Sequence, residues 1–207
     1  MNLQVNPTRM ELLRLKKRLR VAVRGHKLLK DKLDELMKNF LELVEENRRL
    51  RTEVEEGLTR AFRGFAMARA VLSWSYLETA LGAHRERRGV TAKPVRRMNM
   101  EIPHFLLDEE EPNIYPYGLA ETTGDLDEAV RRLHAAFKPL VQLAEVEKTV
   151  ELMAGEIERT RRRVNALEHV LIPQLEEQAR YITMKLEENE RGNLVRLMKV
   201  KEIVGHG

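Results

Sequence analysis

Leu12, Leu15, Leu19, Ala22, His26, Leu29, Leu33, Leu36, Phe40, Leu43, Asn47, Leu50 and Val54 succeed one another by alternating steps of three and four residues. The same rule picks out Leu143, Val146, Val150, Met153, Ile157, Thr160, Val164, Leu167 and Leu171 in the C-terminal half. An α-helix closes a turn every 3.6 residues, so a sustained 3-4 spacing lays one apolar seam along it and reads as coiled coil. Two such stretches in one short chain predict a long antiparallel hairpin of two helices. The fold class expected is all-α dominated, a long antiparallel two-helix coiled coil with a short β-hairpin or irregular segment between the helices.

Composition agrees with a thin rod. Of 207 residues, 34% are charged and 5% aromatic, which leaves most positions facing water and little bulk for a central core. The chain has no cysteine, which excludes disulfides, thiolate catalysis and Cys-based zinc sites. Met1 to Met10 contain no apolar leader core, and no run approaches the roughly 18 apolar residues that span a bilayer. Direct membrane insertion is therefore not expected. The net charge is +4, with basic residues dense over Arg14–Lys30 and Arg159–Arg163. Acidic blocks at Glu53, Glu55, Glu56 and Asp108–Glu111 dilute a nucleic-acid reading, so solvated helix faces or a protein partner are expected instead.

Thr8 reads as the N-cap of the first helix, with Glu11 three residues on as in a capping box, and the pattern runs to about Leu81. Gly25, Gly57 and Gly64 are read through. After Val54 the seam turns to small residues (Ala61, Gly64, Ala66, Ala68, Ala70), which allow close helix approach or leave room for a second protein. Pro94, Pro103, Pro112 and Pro116 end helix in the middle segment. There Val90–Val95 and Met98–Leu107 are predicted as two edge strands joined by a turn at Arg96-Arg97 or just after. The second helix is expected from Asp125, again with Glu128 three residues on, to about Val200. A kink or break is predicted at Pro139 and at Pro173, and beyond Leu171 the seam shifts to Leu175, Ile182 and Leu186. The tail Gly205-His206-Gly207 should fray. The organisation is thus 1–82 N-terminal coiled-coil helix, 83–124 middle segment and 125–207 C-terminal coiled-coil helix and tail, each helix about 110 Å long at 1.5 Å per residue.

The residues assemble no catalytic site. There is no GxxxxGK(S/T) loop, Ser73 and Ser75 are the only serines and lie in no GxSxG elbow, and the six histidines show no HExxH spacing. No catalytic residue, cofactor or metal site is expected. Glu168-His169 reads as a neighbouring ion pair. His26 and Asn47 occupy seam positions, where a buried polar group specifies register or marks a place where the helices splay. Arg161, Arg162, Arg163 and Asn165 are the densest polar cluster, with Arg161 and Asn165 on one helix face.

Three stretches resemble one family. Asn6-Pro7-Thr8-Arg9-Met10-Glu11-Leu12 with Arg14-Leu15-Lys16-Lys17, extended by Gly25-His26-Lys27-Leu28-Leu29-Lys30-Asp31-Lys32, looks like the N-terminal signature of the D subunit of V-type ATPases. Thr160-Arg161-Arg162-Arg163-Val164-Asn165-Ala166-Leu167-Glu168 followed by Ile172-Pro173 resembles the C-terminal signature. Lys185-Leu186-Glu187-Glu188-Asn189-Glu190-Arg191 is similar to prokaryotic members. The resemblance covers both helices and little of the middle segment.

It implies a non-catalytic central rotor shaft, set within a hexamer of alternating A and B subunits. The F subunit would clip onto the lower shaft, and a funnel-shaped adaptor (C/d type) would join the foot to the membrane ring. It also implies a peripheral place on the cytoplasmic side of the membrane, in the catalytic sector, with torque coupling ATP hydrolysis or synthesis to proton or sodium transport. On that reading Arg9, Lys16, Lys17, Arg20, Arg196, Lys199 and Lys201 are the expected hexamer contacts, and Arg161, Arg162, Arg163 and Asn165 the docking or shaft residues. The hairpin carrying Val90, Val95, Met98, Ile102 and Leu106 should lie near the foot, where the chain reverses; there it regulates hydrolysis, holds the F subunit or is an inert turn. A generic coiled-coil scaffold or adaptor explains the heptads but not these motifs. A basic helical hairpin on nucleic acid would show salt-dependent duplex binding.

Overall fold

The structure is a computed structural model that describes residues 6–82, 89–98, 100–107, 114–115, 117–118 and 122–205. Asp108–Glu111, Pro112, Pro116, His84, His206 and Gly207 lie outside the described residues. Helix α1 is Arg9–Val71, α2 Trp74–Gly82, α3 Gly124–Ala166 and α4 Ile172–Gly205. A five-residue π turn, Leu167–Leu171, joins α3 to α4, and strands β1 (Val90–Arg97) and β2 (Met100–Leu107) form an antiparallel hairpin between the helical halves. The expected fold class holds. The chain forms two compact units, one of Met1–Leu36 with Ile157–Gly207 and one of Met37–Glu156.

In the first unit the N-terminal part of α1 runs antiparallel to α4. Arg9 pairs with Glu190, and His26 Nε2 lies 3.2 Å from Glu168 Oε2. The Glu11 N–H donates to Thr8 Oγ1 at 3.2 Å, the expected cap. Leu15, Ala22, Leu175 and Ile182 form the core, with Leu12, Leu19, Ile172, Tyr181 and Leu186 against it. The heptad through Val164, Leu167 and Leu171 would next bury Gln174, Gln178 and Tyr181. Leu175 and Ile182 are buried instead, while Leu171 is exposed. The seam has advanced by one residue, and a π turn is a helical turn with one residue inserted. The Ile172 N–H accordingly reaches back five residues to the Leu167 carbonyl. Pro173, which has no N–H to give, follows directly. The kink or break expected at Pro173 thus takes the form of a π turn.

No break occurs at Pro139, which lies inside α3. The carbonyl it leaves unbonded belongs to Ala135, which faces water, while Ala136 and Val141 on either side are buried and hold the helix. The first helix, by contrast, does not run to Leu81. It stops at Val71 and restarts at Trp74, where Ser73 caps α2 by accepting from the Tyr76 N–H at 3.4 Å. The restart lets Leu77 and Ala80 join Ala68, Leu126 and Tyr117 in the core of the second unit.

Within that unit α1 and α3 approach closely. A Cβ on Gly57 would stand 3.3 Å from Ala136 Cβ, and one on Gly64 would stand 3.2 Å from Ala129 Cβ and 3.4 Å from the Asp125 carbonyl. Ala61 and Ala68 are buried in the same seam, so its small residues serve close helix packing, although Ala66 and Ala70 face outward. Tyr117 O–H donates to Asp127 Oδ1 at 2.9 Å, and its ring meets Tyr115 edge-on. Burial pushes the Tyr117 phenol above its ordinary range, and the Asp127 bond adds to the shift. Tyr117→Phe should therefore lower stability by about 1 kcal/mol, read as a shift in the urea midpoint.

The hairpin turn falls just after Arg96-Arg97, the second of the two expected places, and β1 runs two residues longer and β2 starts two residues later than expected. β1 continues through Arg96, opposite Glu101, and Arg97, opposite Met100, and the turn begins at Met98 with φ 49°. Left-handed backbone at that position is what a two-residue hairpin loop requires. Pro94 lies opposite Pro103. Opposed pairs alternate between hydrogen-bonded and non-bonded sites, and two residues without N–H groups fit only the latter. The hairpin does not sit where the chain reverses. It lies back along the helices, with His104 and Phe105 on Glu145 of α3 and Met98 Sδ 3.5 Å from Asn39 Nδ2 of α1.

Candidate functional site

The Arg9–Glu190 pair marks where α1 begins against α4, yet α4 continues 15 residues further, to Gly205. At 1.5 Å per residue this adds about 22 Å of helix with no partner among the described residues of its own unit. Every residue from Glu187 to Val204 is exposed. Among them Leu194, Val195, Leu197, Met198, Val200, Ile203 and Val204 are 55–74% exposed. At about 100° per residue these seven point to all sides of the helix rather than along one stripe. Apolar side chains exposed on every side of one helix end mark an interaction site.

The basic residues expected to make contacts are interleaved here. Arg196, Lys199 and Lys201 are exposed between the apolar side chains, and Lys16, Lys17 and Arg20 are exposed on α1. Arg9 is engaged within the chain by Glu190; with both side chains more than half exposed, that bridge contributes little to stability. Just before the free end Lys185 Nζ donates to Glu188 at 2.8 Å. The bond holds the Glu188 carboxyl below its ordinary range and lifts the ammonium of Lys185, so both remain charged at neutral pH. The apolar side chains of α4 were not singled out from the sequence. The signal available was the density of Leu, Val, Ile and Met over Leu194–Val204, which fits no single heptad face.

Arg161, Arg162, Arg163 and Asn165 are all exposed on the last turns of α3. Arg162 bridges Glu158 on its own helix. They form a water-facing surface next to the π turn. His26 sits in the seam as expected, and its partner is Glu168, so Glu168 is not the mate of His169. Adjacent residues on a helix do not face each other, whereas a seam residue of the opposite helix does. Of the hairpin residues, Ile102 is buried, Met98 and Leu106 are half-buried, and Val90 and Val95 on β1 are exposed. Among the described residues no cluster of three His, Asp or Glu could hold a metal ion, and no helix is long and apolar enough to cross a membrane.

A chain of long helices with exposed apolar side chains on all sides of one helix end has the form of a protein of assemblies. The chain belongs to the D-subunit family of ATP synthases, whose pattern matches residues 11–202. It is 54% identical to the V-type ATP synthase D subunit from Clostridioides difficile strain 630, over 98% of this chain and 92% of that protein. It is 54% identical to the protein of the same name from Acetivibrio thermocellus, over 98% and 92%. A third, from Thermoanaerobacter sp. strain X514, is 53% identical over 99% of both chains.

Proposed function

We propose that this chain is the central rotor shaft of a V-type ATP synthase, a non-catalytic component that transmits torque between a membrane ion ring and a hexamer of alternating A and B subunits. The observation that carries the reading is the free end of α4, with exposed apolar side chains on every side and no partner helix among the described residues. A surface of that kind suits a collar that surrounds it, whereas a one-sided stripe would suit docking on a flat face. Two unlike helices present a different face to each A–B pair around them. Contact can then favour a different conformer at each catalytic site, and turning the shaft moves those preferences around the ring. Arg196, Lys199, Lys201, Lys16, Lys17 and Arg20 add positive charge that acidic loops of the collar would meet. Arg161, Arg162, Arg163 and Asn165 offer a second, polar docking face. The F subunit on the lower shaft and a funnel-shaped adaptor at the foot complete the expected partners, on the cytoplasmic side of the membrane. The hairpin serves hydrolysis control or the grip on the F subunit, which deletion of Val90–Leu107 and an ATPase assay would reveal.

Reconstitution tests the reading. The chain is mixed with purified A, B and F subunits and the product weighed by native mass spectrometry. A single copy within a hexamer, with raised steady-state Mg-ATP hydrolysis, is the expected result. The triple charge reversal Lys16→Glu, Lys17→Glu, Arg20→Glu should weaken assembly or uncouple it. A chain that ignores the hexamer, as monomer or homodimer, overturns the proposal and leaves a scaffold role.

A further inference from the structure

Among the described residues, the polar contacts that fasten the β1–β2 hairpin to its unit gather at Glu145 and Asn39. β1 is exposed along its whole length, and Ile102 is the one buried residue of β2. Glu145 of α3 holds the strand from outside. His104 Nδ1 lies 3.0 Å from both carboxylate oxygens, and the Phe105 N–H donates to Oε2 at 3.0 Å. Phe105 stands opposite Ala92, two positions from the Pro94–Pro103 pair and so also at a non-bonded site of the ladder, where its N–H points away from β1. Glu145 thus caps an edge donor that the sheet itself cannot use. At the tip, the Asn39–Met98 contact at 3.5 Å involves a thioether, a weak acceptor. A half-open groove of about 430 Å³ is lined by Leu106 and Leu107 of β2 together with Leu50, Val141 and Val146 of the helices.

We propose that the hairpin is a strap held closed on α1 and α3 by the Glu145 carboxylate, and that loss of this latch lets the strap swing off and uncover Leu50, Val141 and Val146. The groove at Leu106 and Leu107 is already open, so that end of the strap forfeits less dispersion energy when it lifts, and the burial given up is mainly that of Ile102. Its ladder is internal to the hairpin, so it lifts as a formed unit. His104, Phe105 N–H and Glu145 can all take water instead of one another, so beside the burial of Ile102 the closed form is favoured by the net worth of these charge-assisted bonds. Closed and open forms are therefore close enough in free energy for a single side chain to choose between them.

The full chain is suited to the test because it lacks cysteine. Spin labels are placed at Arg96→Cys on β1 and Arg63→Cys on α1. Arg63 lies about 36 Å along the helix from Asn39, at 1.5 Å per residue, so a lifted strap changes the separation measurably. With Glu145 present the double electron–electron resonance distance distribution should be single and narrow. Glu145→Ala should shift the closed-to-open ratio about tenfold and add a broad second population. His104→Ala removes one latch bond from the strap side without touching α3 and should give about a threefold shift. Narrow, unchanged distributions in both variants overturn the proposal, as does a distribution already broad with Glu145 in place. The measurement is made on the isolated chain and does not depend on which assembly the chain enters.

Discussion

Truncation after Glu190 is expected to leave the coil of the first unit folded and to abolish capture of the chain by the hexamer. The described side chains removed, Arg191–Val204, are exposed throughout, while the core of Leu15, Ala22, Leu175 and Ile182 includes none of them. Deleting surface that touches no core should change the unfolding free energy by no more than about 0.5 kcal/mol. Binding is a different matter. Burying one large aliphatic side chain contributes about 1.5–3 kcal/mol, and seven are exposed on this segment. Much of that gain is offset by the cost of association and ordering. An affinity loss of at least about a hundredfold, near 2.7 kcal/mol, is still expected. Native mass spectrometry should show A and B hexamers without this chain, and circular dichroism melts should match those of the full-length protein. Capture of the truncated chain at undiminished affinity would refute the collar reading.

Gly64→Leu should be the most damaging single substitution in the helical seam. Its first side-chain carbon would already stand 3.2 Å from Ala129 Cβ and 3.4 Å from the Asp125 carbonyl. Neither neighbour can rotate away, since one is an alanine and the other is backbone. The remaining leucine atoms must push α1 from α3, which also uncovers Ala61 and Ala68. Overpacking of a tight core costs about 1–3 kcal/mol, and a loss near 3 kcal/mol is expected here. For a chain of this size that lowers the melting temperature by about 6–12 °C. Gly25→Ala is the matched control. Nothing lies within 4 Å of a Cβ at Gly25. Relief of helix-interior glycine should there raise stability by about 0.5–1 kcal/mol. If Gly64→Leu and Gly25→Ala melt alike, α1 and α3 are not in close contact.

Much of the architecture was legible in the chain. Every seam position from Leu12 to Val54 is buried or half-buried, because periodicity fixes which face of a helix is apolar whatever it packs on. The Thr8 cap and the two-stranded hairpin rest on equally local chemistry, a side-chain oxygen before an N-terminus and prolines that only edge strands tolerate. The one-residue advance of the seam beyond Leu171 was visible too, but not its form. Pro173 signals a disturbed helix, and only packing against α1 decides that an inserted residue absorbs it.

Long-range contact decided the rest. His26 meets Glu168, 142 residues away, because two helices come into one register, and no spacing within either helix encodes that meeting. The small residues around Gly64 could have made room for a second protein; Gly64, like Gly57, instead faces an alanine of α3 because that helix lies close against them. Ser73 starts a new helix because Leu77 and Ala80 gain a core by turning there. The expected contact residues were chosen for charge, yet the larger feature is the apolar girdle of α4. A leucine at Leu197 would be ordinary core if α1 reached it. It is a free surface only because α1 begins opposite Glu190. Local sequence determines what each face of a helix offers; which faces are left uncovered depends on where the partner helix starts and stops, and that is settled only when the whole chain packs.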